Sequence, residues 1–340
     1  MSPKVSLVIP NYNYARPLEE CLRAALAQTY ESLEVIVVDD CSTDDSAAIA
    51  ESYGVRVLRT PRNVGAPAAR NVGAAGATGE IIFFVDSDVA LHPNAVANAV
   101  AVLESDRDIG AVCGHYEPEP LFADGIVEEY RSLQQYFWIA SDEGTITTSY
   151  TAIMAVRKEL FESMGGFDPI MRDTDNAEFG SRLSRTHRIV LTSTVRGRHD
   201  YDDTLRTVLS KVFTRARLHI PLYLRRADLS GGFSSGPRAW ASIVTLLALV
   251  TAALPVAFGT AWLAVPIAIL AAALACDVAL YRFVRRRKGS VFLVYFVGMH
   301  ILLNLTVASA AVIGGGQWLL SRRFRRMYED RSWSTPAGVA

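Results

Sequence analysis

The chain has 340 residues, half of them hydrophobic, and a formal net charge of −1. The length suggests two domains or one domain with an appendage, and the charge is unevenly divided: eleven Lys and Arg stand against three acids after Gly236, a net +8, whereas the residues up to Gly236 hold 23 against 32, a net −9. An acidic body joined to an apolar, basic-flanked tail excludes a nucleic-acid partner, which calls for positive charge on the folded domain, and argues against a simple soluble globule.

The N-terminus, MSPKVSLVIPNYN, lacks the basic start and apolar core of a signal peptide, so the first domain is expected to stay where it is synthesised. Short β-branched runs at 4–10, 33–40, 55–60 and 80–88 alternate with stretches at 17–28, 42–53 and 66–77 that are long enough for crossover helices. Near-continuous apolar strands with such links predict an α/β domain with a mostly parallel sheet covered on both faces. Ligands of these sheets lie beyond the carboxyl ends of the strands, where this chain carries Pro10-Asn11-Tyr12-Asn13, Asp39-Asp40 and Asp86-Ser87-Asp88. Further helices are expected over 95–103, 130–139, from Lys158 and over 176–185, and further strands over 149–156 and 189–194. The cysteines, Cys21, Cys41, Cys113 and Cys276, form no CxxC pair and read as reduced thiols in a cytosolic compartment.

From 202 to 226 the chain is basic and amphipathic: Arg206, Lys211, Arg215, Arg217, Arg225 and Arg226 alternate with Leu205, Val208, Val212, Phe213, Leu218 and Leu222. That pattern fits an interfacial helix over 201–230 lying on anionic lipid, with Arg215 and Arg217 placed to meet a lipid phosphate; a solvated helix face is the bland alternative. The Gly/Ser stretch 230–237 is the expected linker. Beyond it, 239–259 has no charge and 260–281 has only Asp277. At 1.5 Å per residue either crosses roughly 30 Å of hydrocarbon, so 238–281 is expected to form two transmembrane helices. A third apolar segment, 289–327, contains His300, Asn304 and Gly314-Gly315-Gly316. Lys/Arg-rich loops stay cytoplasmic. A hairpin of the first two segments puts Arg285 to Lys288 on the side of the acidic domain, whereas a third full span would carry Arg322 to Arg326 to the other side. The third segment is therefore expected to be re-entrant or interfacial, with a third span as the alternative. His300 and Asn304 could touch a lipid headgroup or hydrogen-bond between helices.

Two clusters suggest chemistry. Alternating carboxylates at a strand end, Asp86 and Asp88, can present oxygens to a hard divalent ion that also holds a diphosphate, although a plain turn explains them as well. In VVDDCSTDDS, residues 42–45 can cap the next helix, which leaves Asp40 over as an acceptor for a nucleobase or ribose.

The segments SLVIPNYN, CLRAALAQTYESLEVIVVDDCSTDDS and RNVGAPAARNVGAAGATGEIIFFVDSD resemble, in order and spacing, the family 2 inverting glycosyltransferases. The resemblance covers about residues 4–105 closely and 145–200 more loosely. It implies a GT-A nucleotide-diphospho-sugar transferase fold over 1–200, Rossmann-like, with a nucleotide-sugar half at 1–110 and an acceptor half at 111–200, followed by C-terminal transmembrane helices. It also implies a nucleotide-sugar site of Pro10, Tyr12, Asp40, Arg70, Asp86 and Ser87. In that site Tyr12 lies against the base, Arg70 approaches the base or phosphates, and Asp86 lies near the ribose. Asp88, with Asp86 and His199, would hold Mg²⁺ or Mn²⁺, although His199 reads almost equally well as a surface histidine.

Around the catalytic base the sequence departs from the family pattern. Aligned on Glu178 and Arg182-Leu183, the usual carboxylate falls on Asn176, and an amide cannot take a proton from an acceptor hydroxyl. Asp175, or Asp173, acts from a shifted loop; or the acceptor is an already ionised phosphate; or transfer activity is lost. The candidate catalytic residues are accordingly Asp175, Asn176 and Glu178. The Gln-x-x-Arg-Trp motif of the processive synthases is absent, which points to single addition. The continuation DSDVALHPNA fits the dolichyl-phosphate sugar synthases poorly. The resemblance thus implies a metal-dependent hexosyltransferase, multi-pass in the inner or plasma membrane with its catalytic domain cytoplasmic. It would move a sugar from a nucleoside-diphosphate sugar to a membrane-associated glycolipid or cell-envelope glycan. A polyprenyl-phosphate glycosyltransferase and a catalytically degenerate nucleotide-binding membrane scaffold are the alternatives.

Overall fold

The four N-terminal apolar runs form one parallel ladder. In chain order the elements are β1 (Val5–Asn11), α1 (Ala15–Leu26), β2 (Leu33–Asp39), α2 (Ser46–Ser52), β3 (Arg56–Arg59), α3 (Ala66–Gly76) and β4 (Ile81–Val85). β1 pairs in parallel with both β2 and β4, and β2 with β3. Pro10, which has no N–H to give, sits in β1 beyond the last residue paired with β4, so no ladder bond is lost there. This computed structural model describes residues 2–226 and 236–329; the expected linker therefore lies mostly outside the described residues.

The chain continues through β5 (Val89–Leu91), α4 (Ala95–Ser105), β6 (Ile109–Tyr116), α5 (Ile126–Ala140), β7 (Gly144–Ile146), β8 (Ile153–Arg157), α6 (Lys158–Ser163), α7 (Asp175–Leu183) and β9 (Arg188–His199). The strand order is β3-β2-β1-β4-β8-β6-β9-β5, with β7 on β9. β8 runs antiparallel to β4 and β6, and β5 and β7 run antiparallel to β9, while β6 and β9 are parallel. The sheet is thus a mixed α/β sheet, parallel throughout its N-terminal half.

Alternation along β1 and β4 divides the core between the two faces. Leu7, Ile9, Phe83 and Val85 meet Leu18 and Leu22 of α1 on one face. Val8, Ile82 and Phe84 meet Ala69 and Ala74 of α3, with Phe161, Phe167 and Phe179, on the other. Each fully buried Leu, Ile or Phe contributes about 1.5–3 kcal/mol. α3 lies so close to the sheet that a β-carbon on Gly73 would stand 2.2 Å from Cγ1 of Val8. That approach brings the middle of α3, and Arg70 with it, over the ends of β1 and β4.

A second compact unit begins at Arg206. Its helices are α8 (Leu205–Arg226), α9 (Gly236–Thr251), α10 (Leu254–Phe258), α11 (Ala264–Ala275), α12 (Val278–Leu320) and α13 (Arg322–Glu329). Among the described residues two helices are long and apolar enough to cross a membrane, Trp240–Phe258 and Val278–Leu320; the stretch Thr260–Ala275 is apolar but shorter. The expected second span, 260–281, is interrupted where α11 ends at Ala275 and Asp277 leaves helical geometry.

α12 is not straight. Gly289 has φ 83° and ψ 179°, a left-handed backbone open to glycine at little cost. In an unbroken helix Tyr281 and His300 would be about 28 Å apart; their ring centroids are 5.5 Å apart. The helix therefore folds back at Gly289 into arms 278–288 and 290–320. Polar pairs close the packing: Tyr281 Oη and His300 Nδ1 are 3.2 Å apart, Asp277 lies 3.5 Å from His300 Nε2, and Ser242 donates to Asn304 Oδ1 at 3.1 Å. Of the two readings open for Asn304, the helix-to-helix hydrogen bond is the one observed.

Candidate active site

The loops after β1 and β2 are tied together before any ligand is considered. Asn13 Oδ1 accepts from Thr43 N at 2.7 Å, and Ser42 Oγ accepts from Asn13 N at 3.0 Å. Asn13 and Cys41 are non-glycine residues with positive φ, 53° and 64°, a conformation costly enough that it persists only where surrounding contacts impose it. Tyr12, just past β1, is 45% exposed, an aromatic face available beside the strand ends. Pro10 is buried within β1.

Asp40, expected to reach a base or ribose, is committed inward. Its Oδ1 accepts from Thr60 Oγ1 and Val64 N at 2.7 and 2.8 Å, and its Oδ2 from Gly65 N at 2.8 Å. It thereby sets the loop that launches α3. Gly65 has φ 90°, and a β-carbon there would lie 2.8 Å from Nε of Arg172. The acceptors left at this end of the sheet are Asn11 and Asp39, opposite one another in the β1–β2 register. Their Oδ1 atoms are buried without a hydrogen-bond partner, a costly state in a folded protein. The sequence had drawn attention to Asp40; Asp39, the last residue of the paired ladder, carried the stronger positional signal.

The centre of the site is Arg70, 4% exposed on α3. Its Nη2 donates to Asp86 Oδ1 at 2.5 Å and its Nη1 to Asp175 Oδ2 at 2.7 Å. One guanidinium thus joins the end of β4 to the first residue of α7, which lies 105 positions from Arg70 in sequence. Burial alone would pull the guanidinium down; Asp86 and Asp175, with Asp88, outweigh it and raise it above its ordinary value. Three carboxylates around one guanidinium leave the site net negative, the balance that favours a cation.

Asp86, Ser87 and Asp88 form the turn between β4 and β5, closed by Val89 N donating to the Asp86 carbonyl at 3.0 Å. β9 ends on the same turn: Asp200 N donates to the Asp88 carbonyl at 2.8 Å, and His199 Nε2 lies 3.7 Å from Asp88 Oδ1. The His199 ring packs against both Tyr116 and Tyr201, at 4.7 and 4.4 Å between centroids. His199 is therefore packed beside the second carboxylate rather than loose on the surface. Among the described residues no ready group of three metal ligands is formed.

The three residues singled out around the base have different surroundings. Asp175 belongs to the Arg70 cluster. Asn176 is turned to the segment before β8: its Oδ1 accepts from Thr151 N at 3.3 Å and its carbonyl from Ser149 N at 3.1 Å. Glu178 is ion-paired with Arg182 four residues on, and Arg182 also donates to the carbonyls of Met164 and Gly166. Asn176 and Glu178 thus hold neighbouring loops, because a polar residue on the inner face of a short helix satisfies the backbone it covers. Arg215 is exposed on α8 in the second unit, whereas Arg217 is half-buried beside Gln317.

The sequence did not reveal an open cleft of about 400 Å³ lined by Asn13, Arg16, Asp124, Asp200, Tyr201 and Asp203. Arg16 clamps Asp124 with two bonds, 2.7 and 3.2 Å, and stacks 3.8 Å over Phe122. Burial, and then the nearby Asp124, push the Asp200 carboxyl up to about 6, against the pull of Arg16.

Residues 6–165 match the family described as Glycosyl transferase family 2. The chain is 38% identical over 121 residues to the glycosyltransferase GlyG of Streptococcus pneumoniae serotype 4, which is 34% of this chain and 40% of that protein. A glycosyltransferase of Haemophilus influenzae is 27% identical over 186 residues, 53% of this chain and 61% of that one. The chain thus spans less than two thirds of these relatives. In fold it is similar to the mannosyltransferase PcManGT from Pyrobaculum calidifontis, solved in complex with GDP-Man and Mn²⁺. There the TM-score is 0.57 and the identity 21%, over 95% of this chain and 88% of that one.

Proposed function

We propose that this chain, which belongs to glycosyl transferase family 2 through residues 6–165, is a membrane-anchored inverting glycosyltransferase. It transfers single sugars from a nucleoside-diphosphate sugar to a membrane-associated acceptor. One observation carries the reading: Arg70, itself buried, draws Asp86, half-buried at the end of β4, and Asp175, buried at the start of α7, into one cluster. A donor-side carboxylate and a candidate base are thereby held in one site, and holding reacting groups together is what lowers the barrier between two substrates.

Asp86 and Asp88, with His199, would hold Mg²⁺ or Mn²⁺. The carboxylates of Asp86 and Asp88 suit a hard divalent ion, which takes substrate phosphates as further ligands, and the His199 imidazole fits Mn²⁺ better than Mg²⁺. When bound, such an ion would neutralise the diphosphate leaving group. The Mn²⁺ in the PcManGT complex supports the assignment. Tyr12 stacks on the base, and Asn11 and Asp39 accept from it. Asp175 takes the acceptor hydroxyl proton as the new C–O bond forms. The bond from the anomeric carbon to the diphosphate breaks on the opposite face, and the nucleoside diphosphate leaves with the electron pair.

Asn176 in place of a carboxylate favours a second reading in which the acceptor is a lipid phosphate that needs no base. The two long apolar helices support membrane attachment, and a domain held at the bilayer gains effective concentration only toward acceptors that reside there.

A thermal-shift panel of UDP-, GDP- and dTDP-sugars with Mn²⁺ tests the donor: at a hundred times its dissociation constant a ligand stabilises by about 2.7 kcal/mol. Silence across the panel overturns the reading, and donor stabilisation without turnover favours a scaffold. Asp175→Asn is expected to lower turnover by about 10²–10⁴ fold while donor stabilisation persists; full activity in that variant selects the phosphate acceptor. A product with retained anomeric configuration rules out inversion.

A further inference from the structure

The second arginine cluster, Arg322 to Arg326, lies on α13, and this end of the chain is held against α8 by three contacts at one place. Tyr328 Oη donates to the Leu218 carbonyl at 2.9 Å. Arg217 Nη1 donates to Gln317 Oε1 at 3.4 Å. At Gly314 the backbone of α12 comes so near that a β-carbon would lie 2.7 Å from the Arg217 carbonyl oxygen. The location of α8 therefore fixes that of residues 314–328.

α8 cannot lie in hydrocarbon. Arg206, Lys211, Arg215, Arg217, Arg225 and Arg226 are spread along its length, and charge at the centre of a membrane helix is strongly disfavoured. It begins at Leu205, where the first unit ends, and among the described residues no candidate spanning helix precedes it. α8 and the first unit are then on one side of the bilayer. We infer that residues 314–328 lie on that same side, so that the chain from α9 to α13 crosses the membrane an even number of times, and that α8 and α13 form one basic layer on the anionic headgroups of that leaflet. This rests on the membrane-anchored reading of the tail.

The chemistry of α13 suits that surface. Phe324 and Tyr328 are buried and join the helix to the unit, while Arg322, Arg323 and Arg326 are exposed. Arg325 is spent differently: its Nη1 donates to the carbonyls of Trp318 and Leu319, which closes the C-terminus of α12. On α8, Arg206, Lys211 and Arg215 are exposed as well. Cationic side chains beside apolar helices of membrane length meet anionic lipid rather than a free phosphate. The arrangement places Arg322 to Arg326 on the side of the catalytic unit, where the positive-inside rule expects that cluster.

The full chain with its four cysteines replaced, carrying in turn Lys211→Cys, Thr260→Cys or Arg323→Cys, tests the topology in bacterial membranes. An impermeant maleimide is applied to right-side-out and inverted vesicles. The Arg323→Cys thiol is expected to react in the same vesicles as Lys211→Cys, and Thr260→Cys in the opposite ones. If Arg323→Cys follows Thr260→Cys, the inference falls while the anchor stands. If Thr260→Cys follows Lys211→Cys, the spanning reading of α9 falls and takes the inference with it. Should the cysteine-free chain fail to fold, alkaline phosphatase fused after Ala340 of the natural chain gives the same answer, inactive if the inference holds and active if it does not. For the lipid, a fluorophore on the Arg323→Cys thiol is expected to lose quenching by acrylamide, a neutral quencher, in vesicles containing phosphatidylglycerol, and to regain it in high salt. Equal quenching in pure phosphatidylcholine overturns the headgroup assignment.

Discussion

The first unit gathers three carboxylates around one buried guanidinium at the ends of elements that are far apart in sequence. The second sets its buried polar groups in small matched sets along helices: Ser242 with Asn304, and Asp277 with His300 and Tyr281. A surplus of one charge sign at strand ends leaves capacity for a ligand. Matched sets between helices leave less, and serve to choose which faces meet. The same residue types therefore perform different work in the two units, and mutation separates them.

The largest contrast is expected at Arg70. Arg70→Ala leaves Asp86 and Asp175 facing each other without a cation, and should cost about 3–5 kcal/mol, read as a fall in denaturation midpoint, together with loss of stabilisation by a nucleotide sugar and Mn²⁺. Arg70→Lys, which keeps the charge but not the two-pronged geometry, should recover part of the stability and little of the ligand response. A stable Arg70→Ala protein that still responds to donor would erase the contrast.

Asn176→Ala comes next. It removes the acceptor that holds Thr151, and about 1–3 kcal/mol should be lost by chemical denaturation, with donor stabilisation retained in proportion to the folded fraction. Selective loss of turnover with unchanged stability would instead return Asn176 to the chemistry.

A smaller, pH-dependent effect is expected at Glu34. Burial works against its charge, but hydrogen bonds from Ser6 and from Thr78 N and Oγ1, with Lys4 nearby, hold its carboxyl down at about 2. A depressed carboxylate contributes fully above its ordinary value of 4.5 and loses that contribution as pH falls toward 2. Glu34→Gln should therefore lower stability by about 1 kcal/mol at neutral pH, and the gap to the natural protein should close through that acid window. A gap that widened in acid would reverse the assignment.

The smallest loss belongs to the second unit. Asn304→Leu in bicelles should cost about 0.6 kcal/mol, since hydrogen bonds between membrane helices are worth little on average. A cost matching that of Arg70→Ala would mean that the tail, too, depends on a concentrated polar centre.

The parallel half of the sheet and its strand-end carboxylates were legible because a strand covered on both faces is a continuous apolar run, so that the polar residues ending it stand out. What was not legible depended on distance or on backbone torsion. Nothing local to Arg70 marks Asp175 as its partner, 105 residues away. Asn176 and Glu178 matched a motif by position, yet their surroundings, Thr151 and Arg182, made them supports for loops. Asp40 looked spare because the backbone amides of Val64 and Gly65 that occupy it have no side-chain signature. The three-residue strands β5 and β7 pair only with β9, antiparallel and without a crossover helix, and no periodicity marked them.

Gly289 has a consequence for length. As a straight rod the 43 residues of α12 would measure about 64 Å, roughly twice the hydrocarbon thickness of a bilayer. Such an excess must be relieved by tilting, kinking or local thickening of the lipid. Doubling back turns the excess into a clasp: the arm 278–288, about 16 Å long, is too short to cross, and its grip on Phe296 and His300 through Tyr281 sets where the longer arm starts. Any side chain with a β-carbon at 289 favours the rod over the clasp, so one backbone torsion governs how much of the tail is offered to the membrane.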